Sequence, residues 1–397
     1  MNILMVSSFL PHPLFSGGHI RLFNIIKELS RRHQITLVCE KRDYQSLNDV
    51  KAVEKFCQKV IAVERKKQWS LSNVLKAGFS SYPFLMVGHT LPEMRKEIEQ
   101  ELKTNKFDLI HVETFYIMQN LPDTTVPIVL AEQNIEYLVY HRFTQQTPAF
   151  FRPLLMLDVA KIKYWEGKFW GKATQLVVTW EGEKKIIDRD NVAVVANGVD
   201  LSKYQVSSIK YQVSKKEKII LFIGDFRWIE NRDAATWLLK EIWPELEARS
   251  KKLEIRLKLW MVGKAIPNSI KQLTNEEDVV FDEEAPDDTR EIFARADLLL
   301  APIRVGGGGK FKILESMASG VPVVTTLIGI EGIAAQDNNQ VLIGDNIQDL
   351  VDKTVEALTK EDLYRKISQR ARKLIEEKYD WKIIVKKLEN VYQKTIA

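Results

Sequence analysis

Four successive glycines, Gly306, Gly307, Gly308 and Gly309, lie between an apolar strand ending at Pro302 and a helix opening near Lys310. Glycine has no Cβ, so backbone N–H groups there can approach a phosphate, and the unpaired N–H groups of a first helical turn favour negative charge. Lys310 and Lys312 add full positive charges. In the helix Ile313, Leu314, Met317 and Ala318 share one apolar face, which leaves Lys312, Glu315 and Ser316 together on the other. Lys312 and Glu315, three apart, can act together. The chemistry of this segment is diphosphate binding, with a merely flexible glycine loop as the alternative reading. A Walker A loop is excluded, because Arg304 and Phe311 stand where it needs Gly and Ser or Thr.

A second glycine pair, Gly17-Gly18, ends the loop after the first strand, just before a helix expected from near His19. Bare backbone at a helix N-terminus, at the carboxyl end of a first strand, suits a ligand as well as a turn. Asn134 and Glu136 also follow a strand at its carboxyl end, where lining a cleft and forming a turn or cap are both open to them.

These residues need a scaffold of alternating strands and helices. Apolar runs Ile3–Val6, Ile35–Cys39, Val60–Val63, Leu109–Val112, Ile128–Leu130, Leu176–Val178 and Val192–Val195 read as strands, with helical patterns such as Ile20–Arg31, Met94–Leu102 and Leu155–Trp170 between them. A polar stretch at 201–217 reads as a linker. The pattern restarts with Ile219–Ile223, Leu257–Val262, Val279–Phe281, Leu298–Ala301, Val321–Thr325 and Gln340–Ile343, around helical patterns Ala234–Ala248, Thr289–Ala296, Lys310–Ser319 and Asp349–Leu358. This predicts an α/β chain of two doubly wound domains, 1–200 and 218–378. Residues 379–397 close the chain as a helix that packs on the second domain or crosses back to brace the first.

Composition agrees: among 397 residues 45% are apolar and 28% charged, with 18 Gly and 13 Pro, which excludes disordered, collagen-like and coiled-coil classes. Two cysteines, Cys39 and Cys57, cannot build a disulfide framework or a four-ligand zinc site, and point to a reducing compartment. A net charge of +5 spread over the chain does not indicate nucleic acid. The start, MNILMVSSFLPHPL, reads as a strand rather than a signal peptide, and no apolar window is long enough to span a membrane. A cytoplasmic location is expected.

The chain resembles the retaining glycosyltransferases of the GT-B fold, group 1 or family 4 type. The resemblance rests on Gly17-Gly18, on Asp108 to Val112, on Glu132 to Glu136, on Asn197-Gly198-Val199-Asp200, on Phe222-Ile223-Gly224, and above all on Gly306 to Val324 with its ILESMASGVPVV. It implies two Rossmann-like domains facing a central cleft, a nucleoside-diphosphate sugar such as a UDP- or GDP-sugar held mainly by the second, and a glycan, lipid-linked saccharide or other hydroxyl acceptor held mainly by the first. It further implies transfer with retention and without a metal or other cofactor.

By the same resemblance, Glu315 matches the second glutamate of the family's E-x7-E pattern, expected on the donor ribose. Gly307 replaces the first, so Gly307, Gly308, Gly309, Lys310 and Lys312 take over as a basic loop, with Lys312 the leading catalytic candidate. Arg227 follows the Phe-x-Gly strand, where members tend to carry cations to the phosphates. Glu113 stands where many members have a histidine that meets the donor sugar, which makes it the second catalytic candidate; His111, Trp165 and Glu166 read as packing. Basic patches Lys41-Arg42, Arg65-Lys66-Lys67 and Arg95-Lys96, near the apolar stretch Phe79–Val87, raise contact with an anionic membrane beside ordinary solvated faces. Loss of the first glutamate keeps a non-catalytic sugar-nucleotide-binding subunit open, and the shared fold a nucleotide-sugar 2-epimerase.

Overall fold

The computed structural model describes residues 1–14, 16–65, 67–204, 217–275, 277–286, 288–306 and 310–397. Two compact units divide them: Met1–Ala196 with Ile384–Ala397, and Asn197–Ile383. Gly307, Gly308, Gly309 and most of the expected linker, 205–216, lie outside the described residues.

The first unit holds a parallel sheet of β1 (Asn2–Ser7), β2 (Gln34–Lys41), β3 (Lys59–Glu64), β4 (Leu109–Glu113), β5 (Ile128–Ala131), β6 (Gln175–Val178) and β7 (Val192–Val194). Its helices are α1 (Gly17–Leu29), α2 (Leu47–Glu54), α3 (Leu71–Phe79), α4 (Phe84–Gly88), α5 (Pro92–Thr104), α6 (Glu136–Gln146), α7 (Arg152–Lys172) and α8 (Glu181–Ile187). The strand order β3-β2-β1-β4-β5-β6-β7 reverses direction between β1 and β4. Helices cover both faces, so central strands are apolar throughout rather than alternating: Ile3, Leu4, Met5 and Val6 are all buried.

The second unit repeats the plan with β8 (Glu217–Ile223), β9 (Arg256–Val262), β10 (Val279–Asp282), β11 (Leu298–Ala301), β12 (Val323–Thr325) and β13 (Leu342–Ile343), in the order β10-β9-β8-β11-β12-β13. Its helices are α9 (Ile229–Trp237), α10 (Trp243–Lys252), α11 (Asn268–Lys271), α12 (Thr289–Arg295), α13 (Phe311–Ala318), α14 (Ile347–Thr359), α15 (Glu361–Lys378) and the start of α16 (Trp381–Ile396).

The expected strands all form, with element ends shifted by a few residues; three differences from the sequence reading have a physical cause. Helix α1 begins at Gly17, so the glycine pair lies inside its first turn behind Ser16 rather than ahead of it. The expected helix Ala234–Ala248 is a longer run broken by a π turn over Leu238–Ile242; Pro244 follows directly and has no N–H for a regular helical bond. The first unit ends at Ala196, not at 200, because Val199 bridges Asp380 and Gly198 lies against Trp381 within the second unit.

Residues 384–397 belong to the first unit. Ile384, Val385, Leu388 and Tyr392 are buried there, and Glu389 accepts hydrogen bonds from Arg32 at 2.8 Å and binds His33 at 2.9 Å.

Candidate functional site

In open parallel sheets, ligands bind beyond the carboxyl ends of the strands where the strand order reverses. In the second unit that point lies between β8 and β11. Backbone packing there is tight: a Cβ on Gly263 would fall 1.8 Å from the Gly224 carbonyl oxygen, and one on Gly224 would fall 2.7 Å from Asn231 Cγ. Two small residues thus bring Asn231, in the first turn of α9, against the end of β8.

Asn231 is buried, and its amide donates to the Asp225 carbonyl at 2.8 Å. Its Oδ1 accepts from Lys312 Nζ at 2.7 Å, and the same ammonium stands 5.3 Å from the centre of the Phe222 ring. Burial, and then the neighbouring charge of Lys310, lower the Lys312 ammonium to about 7, with Glu230 acting in the opposite sense. Lys310 caps the N-terminus of α13. Its Nζ lies 3.1 Å from where a Cβ on Gly306 would stand, and Gly306 has a φ of 111°, which favours glycine. Lys310, Lys312, Asn231, Glu230 and Gly306 therefore converge.

Glu315 lies one turn along α13. It bonds Tyr204 and Thr289, whose hydroxyls meet at 2.7 Å, and burial raises its carboxyl to about 7. Arg372 holds the carbonyl of Tyr204 at 2.6 Å and also that of Ala318, which ties this group to the far end of α13. Arg227, by contrast, extends to solvent with its side chain 60% exposed, and its NH2 nitrogen pairs with Asp225 at 2.5 Å.

The first unit's reversal, between β1 and β4, sets Ser7 beside Glu113 in register. Gly17 and Gly18 lie beyond it in α1, and a Cβ on Gly18 would fall 2.6 Å from Gln133 Oε1. Gln133 Nε2 donates to Glu113 Oε2 at 3.1 Å; Glu113 Oε1 meets His111 Nε2 at 3.1 Å; His111 Nδ1 meets the Tyr392 hydroxyl at 2.8 Å. Burial pushes the Glu113 carboxyl up, but the hydrogen bond and charge of His111, the charge of Arg21 and the bond from Gln133 bring it below its ordinary value.

Glu113 is 0% exposed, with its oxygens committed to His111 and Gln133. Half-buried Gln133 is the member of the chain that reaches outward to α1. Asn134 is half-buried in the bend after β5, and Glu136 opens α6. The Glu136 backbone N–H donates to Glu166 at 2.8 Å, while burial, then Glu183, raises its own carboxyl to about 7.

In each of the three basic patches one cation has a carboxylate partner: Arg65 is buried beside Glu40 at 3.5 Å, Lys41 pairs with Glu64 at 3.6 Å and Arg95 with Glu99 at 3.0 Å; Lys66 lies outside the described residues. Sequence reasoning missed Asn231, Gln133, Tyr204, Thr289 and Tyr392. Only the glycines at 18 and 224, which make room for Gln133 and Asn231, carry any trace of them.

Residues 217–360 match the model of the family "Glycosyl transferases group 1". Over this segment the chain is similar to the group 1 glycosyl transferases. The whole chain has the GT-B fold of two doubly wound sheets. It superposes on the sucrose-phosphate synthase of Thermosynechococcus elongatus with a TM-score of 0.74 at 14% identity, covering 99% of each chain. HepE of Anabaena, solved in complex with UDP and glucose, gives 0.64 at 14% identity over 99% of this chain and 100% of that one. Among characterised sequences, the N-acetyl-alpha-D-glucosaminyl L-malate synthase of Bacillus anthracis is 28% identical over 190 residues, 46% of this chain and about half of that protein, 47%. An uncharacterised 44.6 kDa protein from the cps region of Klebsiella pneumoniae is 22% identical over 87% of this chain and 88% of its own length.

Proposed function

We propose that the protein is a retaining glycosyltransferase that moves a sugar from a nucleoside-diphosphate sugar to a hydroxyl of a glycan, lipid-linked saccharide or other acceptor. The observation that carries this reading is Lys312, held on Asn231 at 2.7 Å beside Lys310 at the mouth of α13. Two ammonium groups and a helix N-terminus at a strand-order reversal suit a diphosphate.

As the bond from the anomeric carbon to the phosphate oxygen breaks, negative charge grows on the leaving diphosphate. Lys310, Lys312 and the first N–H groups of α13 stabilise that charge in place of a metal. A partly desolvated ammonium gains most from such a partner, because little water has to be removed when it pairs. Glu315 receives the ribose hydroxyls in this reading. Gln133, oriented by Glu113, His111 and Tyr392, stands over the α1 glycines on the acceptor side. The UDP bound in HepE makes uridine the first base to try.

A thermal-shift screen of UDP, GDP, ADP, dTDP and their common sugars, with and without EDTA, tests the proposal, since a ligand of the folded state raises its stability. Stabilisation by one nucleotide, unchanged by EDTA, is expected. Stabilisation by none, or only with added metal, would overturn it.

A further inference from the structure

Beyond the carboxyl ends of β1, β4 and β5, the first unit gathers hydroxyl groups that the phosphate chemistry does not use. Ser8 Oγ donates to the Tyr116 hydroxyl at 3.3 Å and stands 3.5 Å from Thr114 Oγ1. Thr114 has a φ of 76°, a region that a β-branched residue rarely adopts, and the Ala131 carbonyl holds its N–H at 2.9 Å. Glu136 and Tyr140 lie one turn apart on α6 and share a face. Burial, then the charge of Glu136, pushes the Tyr116 hydroxyl up to about 12 and raises that of Tyr140 in the same order, and Tyr116 acts on Tyr140 in turn. Tyr116, Glu136 and Tyr140 therefore stand together. All are half-buried, and among the described residues neither the Glu136 carboxyl nor the Tyr140 hydroxyl has a hydrogen-bond partner.

The surrounding charge decides what can bind there. The first N–H groups of α6 would suit an anion, but those of Glu136 and Tyr137 already donate to the Glu166 carboxylate at 2.8 and 3.1 Å. Buried Glu132 and Glu183 add their charge to the same group of carboxyls. The buried cations of the region are engaged elsewhere: Arg21 donates to the carbonyls of Val195 and Ala196 at 2.9 and 3.0 Å, and Arg65 lies 3.5 Å from Glu40. An incoming carboxylate or phosphate would thus add one more negative charge to a cluster of acids. An ammonium would need Glu136 ionised, and burial works against that. Hydroxyl groups meet neither obstacle, since phenols, alcohols and a protonated carboxyl all both donate and accept.

We propose that Ser8, Thr114, Tyr116, Glu136 and Tyr140 bind an uncharged, hydroxyl-rich ring, such as a neutral sugar residue, and discriminate against its charged counterparts. Resting on the transferase reading, this ring is the acceptor, and acceptors that present a phosphate or carboxylate at this point are excluded.

Saturation-transfer NMR of the full chain, with no nucleotide present, compares the methyl glycosides of glucose, galactose and mannose, each with its uronide and its 2-amino-2-deoxy counterpart. At least one neutral ring should bind about tenfold more tightly than both of its charged counterparts. Tyr140→Phe and Glu136→Ala should each weaken it about fivefold or more, the scale of one hydrogen bond. Glu136→Gln, uncharged but able to donate and accept, should restore most of that loss. Tyr140→Phe and Glu136→Gln change few atoms and should keep the parent's melting temperature, which separates lost binding from lost folding. A charged ring that binds as well as its neutral partner, binding of none of the rings, undiminished binding by both Tyr140→Phe and Glu136→Ala, or loss of binding in Glu136→Gln equal to that in Glu136→Ala would overturn the proposal. The nucleotide screen is read separately: stabilisation by a nucleotide without ring binding defeats this site alone, and ring binding without any nucleotide stabilisation defeats the transferase reading alone.

Discussion

Lys312 and Asn231 meet at 2.7 Å although they are carried by different helices, α13 and α9, that follow adjacent strands. Asn231 offers a neutral oxygen, so the ammonium is held in place without being neutralised. An anion arriving at α13 therefore finds a positioned charge. Replacing Lys312 by Ala should weaken UDP or GDP binding at least about tenfold by calorimetry, the scale of a charged hydrogen bond. Unchanged affinity would remove the phosphate assignment.

Affinity should also depend on pH. The free protein's Lys312 loses its proton near pH 7, so binding above that pH requires proton uptake and should weaken by up to about tenfold per pH unit between 7 and 9. Folding stability has the opposite slope there. The unfolded lysine titrates at 10.5 and the folded one near 7, so the unfolded chain holds the extra proton between them and Lys312's contribution to stability rises with pH across that window. Asn231→Asp supplies a negative partner, which should move the fall in affinity to higher pH in a calorimetric pH series.

Gly18→Ala tests the other unit. The added methyl meets the far end of the Gln133 side chain, which can swing away, so the melting temperature should change little. Turnover should fall, because Gln133 leaves its bond to Glu113. Glu113→Gln, expected to lower turnover with nucleotide affinity preserved, supplies the comparison; full activity in both would leave the network without a part in the reaction.

Tyr392→Phe removes only a hydroxyl, yet leaves His111 Nδ1 buried without its partner. Urea unfolding should show a loss of about 1–3 kcal/mol. A loss of a few tenths would mean that the histidine finds another partner.

Both sheets were legible from sequence because strands buried on two faces are continuous apolar runs, whatever loops connect them. Lys310, Lys312 and Glu315 were legible because a glycine run, a helix start and an apolar stripe fix their side of α13 within one segment. Asn231 was not, since its neighbours in the sequence say nothing of Lys312, which is far along the chain and is brought close by strand order. The enclosure of Glu113 was not legible for a related reason. Its strand-end position was readable, but His111 and Gln133, which enclose it, share its fate only after β4 and β5 pair. Helix α6 lacks a clean apolar stripe, and its start depends on Glu166, a carboxylate from α7 that accepts the first N–H groups.

The first unit takes Tyr392 and Glu389 from residues 384–397, beyond the whole of the second unit in the sequence. During synthesis, the amino-terminal sheet can pair its strands early, but His111 Nδ1 and His33 Nε2 wait for Tyr392 and Glu389 until the second unit has been made. A nascent chain halted between the units would thus carry an unfinished first core, and supplying 384–397 as a separate peptide should raise its resistance to protease.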